Sequence, residues 1–106
     1  MLTEIYYFSG SGNSLHVARE LQKRLPESRL VSIISLLNLT KIEARGNIIG
    51  FVFPQHASQM PEIVIQFISK MDLRSSSYIF AIATRGGTPC KVFPELDKIL
   101  ERYSFE

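Results

Sequence analysis

Apolar residues fall along this chain in two rhythms, and the change from one to the other marks the elements. Ile5-Tyr6-Tyr7-Phe8 is a short apolar and aromatic run that ends in Ser9-Gly10-Ser11-Gly12-Asn13-Ser14, so it reads as a buried strand followed by a loop. Leu15, Ala18, Leu21 and Leu25 then recur every three or four residues with Arg19, Glu20, Lys23 and Arg24 between them, which predicts an amphipathic helix that Pro26 stops. Leu30-Val31-Ser32-Ile33-Ile34 is β-branched and predicts a second strand, and the segment Leu36 to Thr40 has no period and predicts an irregular connection. Asn47 to Phe53 is nearly continuous in apolar character, as expected of a central strand covered on both faces.

A second helical stripe follows, with Ile63, Val64, Phe67, Ile68 and Met71 opposite Glu62, Gln66 and Lys70, and with Pro61 suited to a first helical position. Ser77 to Ala83 predicts a fourth strand, ended by Thr84-Arg85-Gly86-Gly87-Thr88-Pro89. Phe93, Leu96, Ile99 or Leu100, and Tyr103 predict a last helix that Pro94 starts. Strands alternating with crossover helices imply an α/β fold with a parallel sheet covered on both faces.

Composition narrows the function classes. A chain of 106 residues with 45% hydrophobic and 21% charged residues forms one globular domain, residues 1–106. The net charge of +2 comes without a basic cluster, so neither nucleic acid nor a membrane surface is an expected partner. One cysteine, Cys90, provides no internal disulfide and no thiolate metal cage, and reads as a small packed residue. No metal site is expected. With no signal-like start and no apolar run of roughly 18 residues, a cytoplasmic location is expected.

In an open parallel sheet, ligands bind beyond the carboxyl ends of the strands, and three loops rich in small or polar residues leave those ends here. The first, Ser9 to Ser14, combines hydroxyl and amide donors with two glycines at a helix N-terminus, an arrangement suited to a phosphate. The alternative is a tight turn in which Asn13 or Ser11 only caps the helix. The loop lacks the Gly-Lys-Ser/Thr tail of a nucleoside-triphosphate loop and the GxGxxG of a dinucleotide fold, so a bound monophosphate suits it best.

Tyr7-Phe8-Ser9-Gly10-Ser11-Gly12-Asn13-Ser14 resembles the FMN-phosphate loop of flavodoxins, Ser/Thr-x-Ser/Thr-Gly-Asn-Ser/Thr. Gly50 to Pro54 with Met60-Pro61, and Ala83 to Gly87, look like the second and third flavin-contacting loops of flavodoxin-like domains in ferredoxin-linked bacterial and archaeal flavoproteins. The resemblance spans nearly the entire chain. It implies a flavodoxin-like doubly wound sheet of strand order 2-1-3-4, FMN as cofactor, and electron transfer to or from an iron–sulfur or ferredoxin-type partner. Ser9, Gly10, Ser11, Gly12, Asn13 and Ser14 would hold the phosphate, and Pro54, Gln55, His56, Ala57, Thr84, Arg85, Gly86 and Gly87 would flank the ring. The flavin supplies the chemistry, so no catalytic side chain is expected.

Two departures from the family stand out. Gln55-His56-Ala57 replaces the usual aromatic residue after the proline, leaving His56 either against the ring or solvated. Arg85 and His56 also replace the acidic surroundings common in flavodoxins, which implies a less negative potential for the fully reduced couple. Two other functions fit the same resemblance: an NAD(P)H-dependent FMN or quinone reductase, and a flavodoxin-like module without flavin used for assembly. A phosphoacceptor receiver domain is rejected, because Asp72 and Asp97 are the only aspartates. Flavodoxin-like domains carry a fifth strand and final helix beyond the point where this chain ends. The chain is therefore expected to be C-terminally incomplete, and the open edge of the fourth strand to reflect either that truncation or pairing with a second copy.

Overall fold

A computed structural model describes residues 2–9, 13–54 and 61–84. In chain order the elements are β1 (Thr3–Tyr7), α1 (Asn13–Arg24), β2 (Ser28–Ser32), a 3-10 turn (Ile34–Leu36), β3 (Ile42–Glu43), β4 (Ile48–Pro54), α2 (Glu62–Ser69), β5 (Met71–Asp72) and β6 (Tyr78–Thr84). The four long strands form one sheet in the order β2-β1-β4-β6, and every pairing is parallel. Counting the long strands alone, this is the expected order 2-1-3-4. The two short strands pair separately, Ile42 with Met71 and Glu43 with Asp72.

Residue alternation explains the two layers. Ile5 and Val52 point to one side, where they pack with Ala18 of α1 and with Val17, Leu21, Leu25, Leu30 and Ile82 around them. Tyr6, Ile49, Phe51 and Phe53 point to the other, against Val64, Phe67 and Ile68 of α2 and against Ile33, Ile42 and Leu73. The helices thus cover opposite faces. Right-handed crossovers require this, because the chain moves outward one way from β1 to β2 and the other way from β4 to β6. As expected for the central position, Ile49 to Phe53 are all buried.

Several boundaries differ from the periodic reading. The β-branched run extends two residues past β2: after Ser32 the chain turns, with Leu36 N–H donating to Ile33 O and Ser35 Oγ donating to Ser32 O. Ile33 is buried there, whereas Ile34 is exposed. Met71 continues the α2 stripe but belongs to β5, because the helix ends at Ser69 and the chain extends to meet Ile42. Pro61 stands just before the helix, in extended conformation with ψ 139. The expected last helix lies outside the described residues, as does Cys90.

α1 ends where Pro26 denies it another turn, and Ser28 Oγ donates to the freed carbonyls of Leu25, at 2.7 Å, and Gln22. Glu27, between them, has φ 54, in the left-handed region.

Candidate functional site

Because α1 starts at the carboxyl end of β1, its first turn faces the carboxyl edge of the sheet. Ser14 lies one turn before Ala18, on the stripe of α1 that meets the sheet, and is only 1% exposed. Thr84 lies on β6 two residues after Ile82, so it faces the same side. The two meet: Ser14 Oγ and Thr84 Oγ1 are 2.8 Å apart. Thr84 Oγ1 also donates to Phe53 O at 3.4 Å, and Thr84 pairs with Pro54 across the β4–β6 ladder.

The start of α1 and the ends of β4 and β6 are therefore joined at one point. β1 reaches the same edge, with Phe8 N–H donating to Val52 O at 2.9 Å. Ser9, just beyond, is partly buried. Of the residues expected at the site, Ser9, Asn13, Ser14, Pro54 and Thr84 are thus found at the carboxyl edge. Gly10, Ser11, Gly12, Gln55, His56, Ala57, Arg85, Gly86 and Gly87 lie outside the described residues. His16, on the outer side of α1, is exposed.

A second polar cluster went unnoticed in the sequence. Glu4, fully buried near the amino end of β1, accepts from Arg45 N–H and Gly46 N–H at 2.8 Å each, from Tyr6 Oη at 3.2 Å and from the Arg29 guanidinium. Burial pushes its carboxyl pKa up, but the two backbone N–H groups and Arg29 outweigh it, so the net shift is downward. Burial, with the Glu4 charge next, pushes the Tyr6 phenol up. The cluster lies at the edge of the sheet opposite Ser14, and the chain's own donors surround the carboxylate. It is a tie between β1, β2 and the connection ahead of β4.

Among the described residues no group of three or more His, Cys, Asp or Glu is placed to hold a metal ion. Nor, among them, is any helix long and apolar enough to cross a membrane. No family model matches the sequence, and no curated protein matches it significantly.

Proposed function

We propose that this chain is a flavodoxin-like domain that binds FMN at the carboxyl edge and passes electrons to or from an iron–sulfur partner. The observation that supports it is the Ser14–Thr84 contact of 2.8 Å, which brings the end of the Ser9–Ser14 loop to the same point as the segments that leave β4 and β6. Three loops singled out for a single ligand thus start from one edge of a parallel sheet, where such folds bind ligands.

The donor set fits a phosphate monoester: hydroxyls and an amide on a glycine-containing loop, opening onto the first turn of α1. Ser9, Ser11, Asn13 and Ser14, with backbone N–H groups of the loop, would hold the phosphate. Pro54 to Ala57 and Thr84 to Gly87 would flank the ring and shield it from water. A bound flavin supplies the electron chemistry, so the chain's own task is to bind, orient and exclude water.

Titration of the purified chain with FMN, followed by flavin fluorescence and paired with riboflavin, tests this. FMN is expected to bind at least about tenfold more tightly, because charge-assisted hydrogen bonds to a phosphate contribute roughly 1.5–3 kcal/mol each. Absence of binding by both flavins at tens of micromolar would reject the proposal in favour of a module without flavin. Steady oxidation of NAD(P)H by the loaded chain alone would instead indicate a reductase.

A further inference from the structure

We propose that the outer face of α1, through Arg19 and Lys23, docks an acidic iron–sulfur protein and so holds that partner beside the carboxyl edge. The proposal rests on the FMN reading and names the chemistry of the partner which that reading requires.

Charge is unevenly laid out on this molecule. α1 holds three of the chain's 12 Lys and Arg residues, Arg19, Lys23 and Arg24, but only one of its 10 Asp and Glu residues, Glu20. Its net +2 equals the charge of the whole chain, because the other residues balance at nine of each sign. All three cations are exposed, and Glu20 pairs with Lys23 at 3.5 Å. Lys23 and Arg24 lie in the last turn, where the helix dipole favours cations. Arg19 lies a turn earlier, four residues ahead of Lys23, a spacing at which like charges repel. Helix stability therefore accounts for Lys23 and Arg24 but not for Arg19. On the α2 side of the sheet the charges alternate instead. There Lys41, Glu43 and Arg45 stand exposed in and beside β3, Arg74 pairs with Asp72, and the charges of Lys41 and Glu43 reach Asp72 and Arg74 respectively.

Position turns this asymmetry into a docking surface. α1 starts at the carboxyl edge, where Ser14 meets Thr84, and at 1.5 Å per residue it spans about 18 Å. Arg19 stands about 9 Å along it, within a Debye length of the edge at about 0.1 M salt. A specific interface buries about 800 Å² on each partner, a patch roughly 30 Å across, so one partner covers the α1 face and still reaches the edge. Arg and Lys in one line are complementary to a surface rich in carboxylates. Three cations fall short of the roughly six to ten phosphate contacts that hold a protein on duplex DNA.

The test measures binding of the full chain, with and without added FMN, to an acidic plant-type [2Fe–2S] ferredoxin by surface plasmon resonance. Binding at about 50 mM salt is expected to weaken about tenfold or more at about 300 mM. Arg19→Gln/Lys23→Gln is expected to weaken it about fivefold or more at the lower salt, chiefly through the on-rate. Lys41→Gln/Arg45→Gln removes the same charge from the balanced side and is expected to leave affinity within about twofold. Equal weakening by the two double variants would show that net charge alone acts and would overturn the proposal. So would unchanged affinity in Arg19→Gln/Lys23→Gln, no binding by wild type at tens of micromolar, or tighter binding to duplex DNA than to the ferredoxin. The two readings separate in the same experiment. Salt-sensitive docking through Arg19 and Lys23 by a chain that takes up no flavin supports the surface and rejects the FMN reading, whereas FMN uptake without docking does the reverse.

Discussion

Glu4 and Arg29 stand directly opposite each other in the β1–β2 register, and Arg29 Nε donates to Glu4 Oε2 at 3.0 Å. The pair is lopsided, since the Glu4 side chain is fully buried and the Arg29 side chain is 56% exposed. Removing the carboxylate strands Arg45 N–H, Gly46 N–H and the Tyr6 hydroxyl together, so Glu4→Ala is expected to cost about 3 kcal/mol. Arg29→Ala removes a solvent-screened partner while Glu4 keeps its other three donors, and about 1 kcal/mol is expected. Urea unfolding of the two variants checks the asymmetry; equal losses would show that the ion pair, not the backbone donors, dominates.

The same cluster sets a pH dependence on each side of neutrality. The Glu4 carboxyl titrates below its ordinary 4.5 in the folded chain, so its contribution is complete above pH 4.5 and is lost as pH falls through the lower folded value. The Tyr6 phenol is raised above 10.0, so its contribution is complete below pH 10.0 and is lost as pH rises beyond. Stability against pH, measured by urea midpoint, is expected to fall at both ends. Glu4→Gln should flatten part of the acid limb. Asp72, which its hydrogen bonds with Arg74 bring down to about 2, should leave the remainder. Tyr6→Phe should flatten the alkaline limb, and a limb unchanged by its variant would assign that slope elsewhere.

Glu27 adopts φ 54 in the turn between α1 and β2, and its carbonyl accepts from Thr3 N–H at 3.0 Å. A left-handed conformation costs a side chain with a Cβ roughly 1–2 kcal/mol, whereas glycine adopts it freely but brings extra entropy to the unfolded chain. Glu27→Gly is therefore expected to stabilise by about 0.5 kcal/mol. Glu27→Val, β-branched, should destabilise by about 1–2 kcal/mol. Thermal melts of both variants give the two signs; a stable valine variant would mean that the turn readily takes another shape.

What was legible in the sequence is what repeats locally. The apolar run Ile5 to Phe8 and the solid run Ile49 to Phe53 each declare a buried strand, and the stripe Val64, Phe67, Ile68 declares a helix face, within a few residues. The edge at which Ser14 and Thr84 meet was legible too, because parallel strands joined by crossovers bring their carboxyl ends together whatever the details. Their hydrogen bond was not, since 70 residues separate them. Glu4 was invisible for the same reason: a lone acid at a strand start looks solvated until Arg29, Arg45 and Gly46 fold back over it. β3 and β5 have two residues each, too short for any period, and form by pairing with each other.

Arg85 directly follows Thr84, the last residue of β6, and in the proposed site it would stand near the flavin. A cation near a group that gains negative charge on reduction favours the reduced form. With FMN bound, Arg85→Ala is expected to make the potential of the fully reduced couple more negative, by on the order of tens of millivolts. Redox titration reads this directly, and an unchanged potential would remove the electrostatic role.

Gly50 and Phe80 are partners in the β4–β6 register, and the Phe80 ring lies across the glycine on the α1 side of the sheet. A Cβ at position 50 would sit 2.3 Å from Phe80 Cζ and 2.8 Å from both Cε atoms, closer than any tolerated contact. The glycine thus provides the flat floor on which the ring rests, in the middle of a strand where glycine is otherwise unfavourable. Gly50→Ala must displace the ring and is expected to cost about 1–3 kcal/mol, although alanine is the better strand residue in isolation. Combining it with Phe80→Leu, which withdraws the ring, should recover most of that loss. Urea unfolding of the two singles and the double measures the coupling. If Gly50→Ala alone proved as stable as wild type, the ring would have to swing outward without cost, and Phe80 would not be a packing partner of β4.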